Sequence, residues 1–257
     1  MSDRRGQWKR EKRQHVQSDD GWTVVSGGRP KDGAEAQQLQ SARPTRTVGG
    51  LTEEKLLDEL NTMERKWEKT SCAKNLARML SLRDWMVTEA VCIGIGSFSI
   101  DWDHRYRSMW QLVLFRAVVK TVQQEGVPLA LYAQEPAFTP IDISFLSRLK
   151  ITATSSGIES RITSRSFIYA PFVDWYILLP LFLKEKDPEL YIGNEILGSY
   201  GTYANTKEKK DVLEECNGLG KKFAKGRERR RVPDFEEHGN ALEGLMIYWK
   251  EEEDEDD

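Results

Sequence analysis

"VCIGIGSFS", residues 91–99, is an apolar run that breaks into two glycines one residue apart and then turns polar. Stretches of that shape stand where a buried strand hands over to a helix. Gly94 and Gly96 lack a Cβ, so each can take positive φ and let backbone approach a ligand closely. Ser97 and Ser99 add hydroxyls, and a following helix would bring free N–H groups nearby. The stretch departs from a dinucleotide fingerprint: Ser99 holds the third glycine position, and "IDWDHRYR" delays the helix. A structural turn and a ligand loop both stay open at this point.

Outward from the loop, strand and helix patterns alternate. "SMWQLVLFRAVVKTVQQEG" reads as a helix from Ser108 to Gln124 closed by Gly126, and "PLALYA" as a strand. "TPIDISFLSRLK" opens a helix with Thr139 at the cap, Pro140 at the first helical position and Asp142 three after the cap. "KITAT" and "SFIYAP" read as short strands, and "VDWYILLPLFLKEK" as a helix bent at Pro180. "ELYIGN" is a strand ending in Gly193 and Asn194, and "GLMIYW" a last strand, placed at a sheet edge. Ahead of the loop, Leu56, Leu60, Met63 and Trp67 share one helical face behind Thr52 as N-cap, and a second helical stretch covers 72–82. The strands are short and apolar without period-two polarity, as when both faces are covered. The expected fold class is α/β: a Rossmann-like, mostly parallel sheet flanked by helices, with a disordered N-terminal tail and an acidic C-terminal tail.

The implied organisation is a polar, basic tail over 1–49, a helical lead-in over 50–84 and a Rossmann-like core over 85–200. A basic linker over 201–232, an element over 233–250 returning to the sheet and an acidic tail over 251–257 follow. The tail holds one β-prone island, "DGWTVV", residues 20–25, suited to docking as a strand or binding a partner. Among 257 residues 39% are hydrophobic and 31% charged, which suits one core with polar flanks, and the net charge of −3 excludes nothing. The basic run "KKFAKGRERRR", 221–231, reads as a solvated linker, with a nuclear-import signal as the sharper alternative. No aromatic residues alternate with its bases, so nucleic acid is not expected as a partner. Cys72, Cys92 and Cys216 lack CxxC spacing and suggest neither a disulfide framework nor a zinc site. No secretory signal is read, and the longest apolar run, broken by Asp174 and Pro180, is too short to span a bilayer. A cytoplasmic protein without a membrane partner is expected.

In open α/β sheets ligands lie beyond the carboxyl ends of the strands. Gly94, Gly96, Ser97 and Ser99 should share that rim with Glu135, after the second strand, and with Gly193 and Asn194, after the fifth. Glu135 is placed to hold ribose hydroxyls, so a nucleotide or a methyl donor is the ligand class in view. Asp101, Asp103 and His104 offer an acid, a base or a metal ligand beside the loop. His15, His104 and His238 are the three histidines, too scattered for a multi-histidine metal site, and no GxSxG elbow or P-loop occurs.

In order, "VCIGIGSFS", "RSMWQLVLF", "YAQEPAFTPID", "FIYAPFVDWY" and "LYIGNEI" resemble the sensitivity-to-red-light-reduced family over about Trp85 to Ile196. "DGWTVV" is similar to a recurring element ahead of that family's domain. The resemblance implies a Rossmann-like domain and a regulatory role: circadian timing and light signalling in plants, control of haem biosynthesis in animals, microtubule-related growth in a yeast relative. It implies no catalytic residues. Many relatives carry a His-Cys pair where this chain has Phe172 and Val173, which removes the ligands haem iron would need. Gln134-Glu135 stands where relatives often show Asp-Pro; Glu135-Pro136 keeps an acid and a proline. Three functional readings follow. The leading one is a regulatory protein that senses a small ligand at the strand tips. The others are a methyltransferase-like or nucleotide-dependent enzyme, and an interaction module whose island, basic run and acidic tail bind protein partners.

Overall fold

A computed structural model describes residues 47–100 and 105–251, together with the backbone of 14–17 and 23–26. Most of the N-terminal tail, the acidic end from 252, and Asp101, Asp103 and His104 lie outside the described residues. The chain divides into two units, Met1–Arg43 and Pro44–Asp257. In the first, β1 (Gln14–Gln17) and β2 (Thr23–Ser26) pair antiparallel, with Val24 opposite Val16. The island "DGWTVV" thus supplies one strand of a local hairpin.

The second unit begins with two helices. Thr52 caps α1 (Glu53–Trp67) by accepting the Lys55 N–H, and Leu56, Leu60, Met63 and Trp67 are its buried residues. Thr70 caps α2 (Ser71–Leu80) in the same way through Ala73, burying Cys72, Leu76 and Leu80. Burying a leucine stabilises a fold by about 1.5–3 kcal/mol, so these spacings hold the lead-in against the helices that follow it. The remaining elements are β3 (Glu89–Ile93), α3 (Arg105–Val122), β4 (Ala130–Gln134), α4 (Pro140–Arg148), β5 (Ile151–Thr154) and β6 (Ser166–Ala170). They are followed by α5 (Trp175–Ile177), β7 (Leu190–Gly193), α6 (Lys207–Asp211), α7 (Leu213–Ala224), β8 (Arg227–Arg231) and β9 (Met246–Lys250).

Seven strands form one sheet in the order β5-β4-β3-β6-β7-β9-β8. The first five pair in parallel, and β9 runs antiparallel to both β7 and β8. The order reverses between β3 and β6, which is the switch point of an open α/β sheet. Register sets the faces: Ala90 and Cys92 align with Phe167 and Tyr169. Phe115 of α3 stacks on Phe167 at 5.7 Å and leans on Tyr169 at 5.8 Å, so α3 covers that face. Phe223 of α7 meets Tyr191 and Tyr248 edge-on across the opposite face. The expected α/β class, a mostly parallel sheet between helices, is what the molecule adopts.

Two expectations need correction. The basic linker over 201–232 contains α6, α7 and β8, and β8 rather than β9 forms the sheet edge. "RERRR" carries no apolar residue, so it lacks a hydrophobic strand signal, yet an edge strand needs backbone pairing on one side only, and charge there blunts pairing with other chains. Its first arginine, Arg227, is buried against Phe223 and ion-paired with Asp187. The second correction concerns "VDWYILLPLFLKEK", where α5 passes directly into a π-helix over Leu178–Leu183 instead of a bent α-helix. Pro180 has no N–H for the α-helical ladder, and a wider turn accommodates the loss.

Candidate functional site

The loop after β3 and the tip of β4 meet directly. Gly94 (φ 72°) and Gly96 (φ 81°) both use the left-handed region that glycine enters without strain. The Gly94 N–H donates to the Gln134 carbonyl at 3.1 Å. The Gly96 N–H donates to Glu135 Oε2 at 2.9 Å, and the Ala137 N–H donates to Glu135 Oε1 at 3.0 Å. Glu135 therefore lies with its carboxylate against the glycine loop, oriented by two backbone donors.

Ser97 and Ser99 face inward. Both are fully buried. Ser97 Oγ donates to Asp142 Oδ2 at 2.6 Å and accepts the N–H groups of Ser99 and Ile100 at 3.1 Å. Asp142 Oδ1 accepts the Phe98 N–H at 3.0 Å, and Oδ2 also accepts the Thr139 N–H at 2.8 Å, closing the capping box of α4. The Ser99 and Thr139 hydroxyls lie 2.6 Å apart. The two hydroxyls read as ligand contacts from the sequence are thus committed to joining the loop to the start of α4. Arg105 adds a second tie: its Nε donates to the Phe98 carbonyl at 2.6 Å, and its fork pairs with Glu59 of α1.

Gly193 and Asn194 stand at the tip of β7, at the carboxyl end of the parallel strands. A Cβ at Gly193 would lie 2.5 Å from the Ala170 carbonyl and 2.4 Å from the Tyr191 hydroxyl, so glycine is required there for close packing. Asn194 Nδ2 donates to the Val173 carbonyl at 3.1 Å, which ties the tip of β7 to the loop after β6. Val173 is buried, and Phe172 beside it takes φ 68°. Neither side chain offers a haem-iron ligand. A bulky residue in the left-handed region is an outlier held by its surroundings, and such strain gathers at functional sites.

Arg107, in the first turn of α3, lies over the ring of that strained residue. Its Cζ lies 4.8 Å from the centre of the Phe172 ring. Its Nε is buried and without a hydrogen-bond partner among the described residues. Burial pulls its pKa below the usual guanidinium range. Ser108 Oγ and the Tyr169 hydroxyl are likewise buried and unpartnered among the described residues. Burial also holds the Cys92 thiol, beside Tyr169 in the register, well above its ordinary pKa. Arg107 carried a faint sequence signal, a cation set close to an apolar helical run. Phe172 stood out only as a departure from the His-Cys pair of many relatives, and Tyr169 carried no signal, because strain and an unmet hydroxyl exist only in the assembled fold. Asp101, Asp103 and His104 lie outside the described residues.

Among the described residues no group of three or more His, Cys, Asp or Glu side chains is placed to hold a metal ion. No helix among them is long and apolar enough to cross a membrane. Cys72, Cys92 and Cys216 are buried and free.

Among solved structures, cofactor-bound Rv0187 from MTB is similar at 9% identity and TM-score 0.41, covering 88% of this chain and 100% of its own. An O-methyltransferase from Bacillus cereus in complex with SAH is similar at 12% identity and TM-score 0.42, covering 76% of this chain and 90% of its own. Likeness at this level says nothing about ligand or activity, and the fold rests on the strand pairing itself. No curated protein matches the chain. A family model for the SRR1 domain matches residues 56–249, from the first buried leucine of α1 to the last strand. The chain belongs to the SRR1-domain family.

Proposed function

We propose that this SRR1-domain protein is a regulatory protein that takes a small nucleoside ligand of the methyl-donor class at the strand tips. The observation that carries the reading is Glu135, whose carboxylate is fixed against Gly96 at the mouth beside the switch point. A glycine loop that binds phosphate offers its N–H groups to the ligand. Here the Gly96 N–H is already given to a carboxylate, and that carboxylate repels a second anion placed on the loop. Ribose hydroxyls have the opposite chemistry: they donate, and a carboxylate that already takes the Gly96 and Ala137 N–H groups, among about four acceptor directions, suits a further donor and not a second anion. A nucleoside without phosphate therefore suits the mouth better than a nucleotide. The regulatory role is carried by the family, with circadian, light-signalling and haem-biosynthesis forms as its expected settings.

Calorimetry and thermal melts against adenosine, S-adenosylmethionine, S-adenosylhomocysteine, ATP and NAD test the reading. The expected result is stabilisation by the three nucleosides and none by ATP or NAD, with about 2.7 kcal/mol gained at a hundredfold excess over Kd. Glu135→Gln should abolish the shift. A flat response to all three nucleosides overturns the proposal. It would favour the interaction-module reading, which the inward commitment of Ser97, Ser99 and Asn194 already supports.

A further inference from the structure

Three arginines near or within the core are treated differently by the fold. Arg105 is buried and met by the Glu59 carboxylate and the Phe98 carbonyl. Arg227 is buried and met by the Asp187 carboxylate and the Pro188 carbonyl through Nη2, with Nη1 unpartnered among the described residues. Arg107 is half-buried, has a ring beneath it, and has neither a carboxylate nor a carbonyl partner among the described residues. Taking a guanidinium out of water without an anion is costly, and native folds rarely leave the cost unmet. Two fully buried hydroxyls are also unpartnered among the described residues. Ser108 follows Arg107 on α3, and Tyr169 is the penultimate residue of β6; both are 0% exposed with unpartnered hydroxyls. The loop bearing Phe172 is held in a strained turn, with its next carbonyl fixed by Asn194.

We infer that Arg107, resting on Phe172 with its Nε unpartnered among the described residues, forms a subsite for the carboxylate of a small ligand beside the tip of β6. The inference rests on the nucleoside reading and deepens it: Glu135 holds the sugar end, and Arg107 takes the acidic end of the same molecule. A carboxylate is the fitting anion because the planar guanidinium fork matches it with two parallel bonds. Lysine at this place would lose both the fork and the stacking on the ring. The strained φ of Phe172 has a role in this arrangement, since it presents the ring on which the fork is held.

The test compares two probes on the full chain by calorimetry: S-adenosylhomocysteine, and 5′-methylthioadenosine, a nucleoside thioether without the amino-acid carboxylate. The expected result is that S-adenosylhomocysteine binds about tenfold tighter or more, equivalent to about 1.4 kcal/mol. In Arg107→Gln the two affinities converge, and Arg107→Lys keeps only part of the difference. Thermal melts of each variant report folding independently. Equal affinity of the two probes for the unaltered chain overturns the carboxylate subsite and leaves the nucleoside reading standing. A difference that survives in Arg107→Gln overturns the assignment to Arg107. Binding by neither probe overturns both the subsite and the nucleoside reading.

Discussion

The two sides of the switch point are built in opposite ways. On the β3 side, the backbone and hydroxyls of the glycine loop have partners inside the protein: Asp142 collects Ser97, Phe98 and Thr139, and Glu135 collects Gly96 and Ala137. Around the β6 tip, Arg107 over Phe172 and the Tyr169 hydroxyl leave buried polar atoms unmet among the described residues, and Phe172 holds an unfavourable φ. A fully satisfied network fixes geometry, whereas an unmet one costs stability until something external completes it. The comparison separates scaffold from binding surface more sharply than residue type does. Serines beside a glycine loop look like ligand contacts and act as cement. An arginine at a helix start looks ordinary, yet its Nε is buried and unpartnered among the described residues.

The comparison can be broken most severely at Asp142. Asp142→Ala should cost about 3–4 kcal/mol, because two buried N–H groups and a buried hydroxyl lose their acceptor together. Urea unfolding measures it, and a loss below about 1 kcal/mol would mean the loop holds itself without α4. The same operation across the seam should have the reverse sign. Arg107→Met should raise stability by about 0.5–1 kcal/mol, since removing an uncompensated guanidinium outweighs the lost ring contact. A clear drop in the urea midpoint would assign Arg107 a structural role instead. The smallest effect at neutral pH is the protonation of buried groups. Burial pushes Cys72 and Tyr200 up to about 12 and Cys216 up to about 11. In the unfolded chain these groups ionise from about 8.5 to 10. The folded form holds its protons more tightly, so this stability is fully present below that range and is lost as pH rises through 11 to 12. Circular dichroism against pH should show alkaline unfolding in that window, and native thiols should resist a disulfide reagent at pH 8. A native thiol that reacts at once would refute the burial.

Legibility tracked the range of the interaction. The capping box at Thr139 and Asp142, the N-cap at Thr52 and the buried face of α1 are local patterns, and the molecule forms each as read. The five parallel strands were recognisable because each is a short apolar run bounded by turn residues. β8 was missed because an edge strand needs no apolar side chain, and the π-turn at Pro180 because one missing N–H does not say how the helix will adapt. Of the candidate rim, the loop touches Glu135, and Gly193 and Asn194 stand at the carboxyl end of β7. Which hydroxyls turn inward was not legible, since Ser97 and Asp142 are 45 positions apart in the chain.

The amino-acid order alone determined the caps at Thr52 and Thr139, the buried face of α1 and the apolar strands, because those depend on neighbours within a turn or two. It also determined that glycine must stand at residues 94 and 96, where the backbone takes positive φ. Tertiary structure decided which polar groups are paired and which are left unmet. Whether a hydroxyl or guanidinium finds a partner depends on what a distant segment brings to it, and that is settled only when the β3 and β6 tips close side by side.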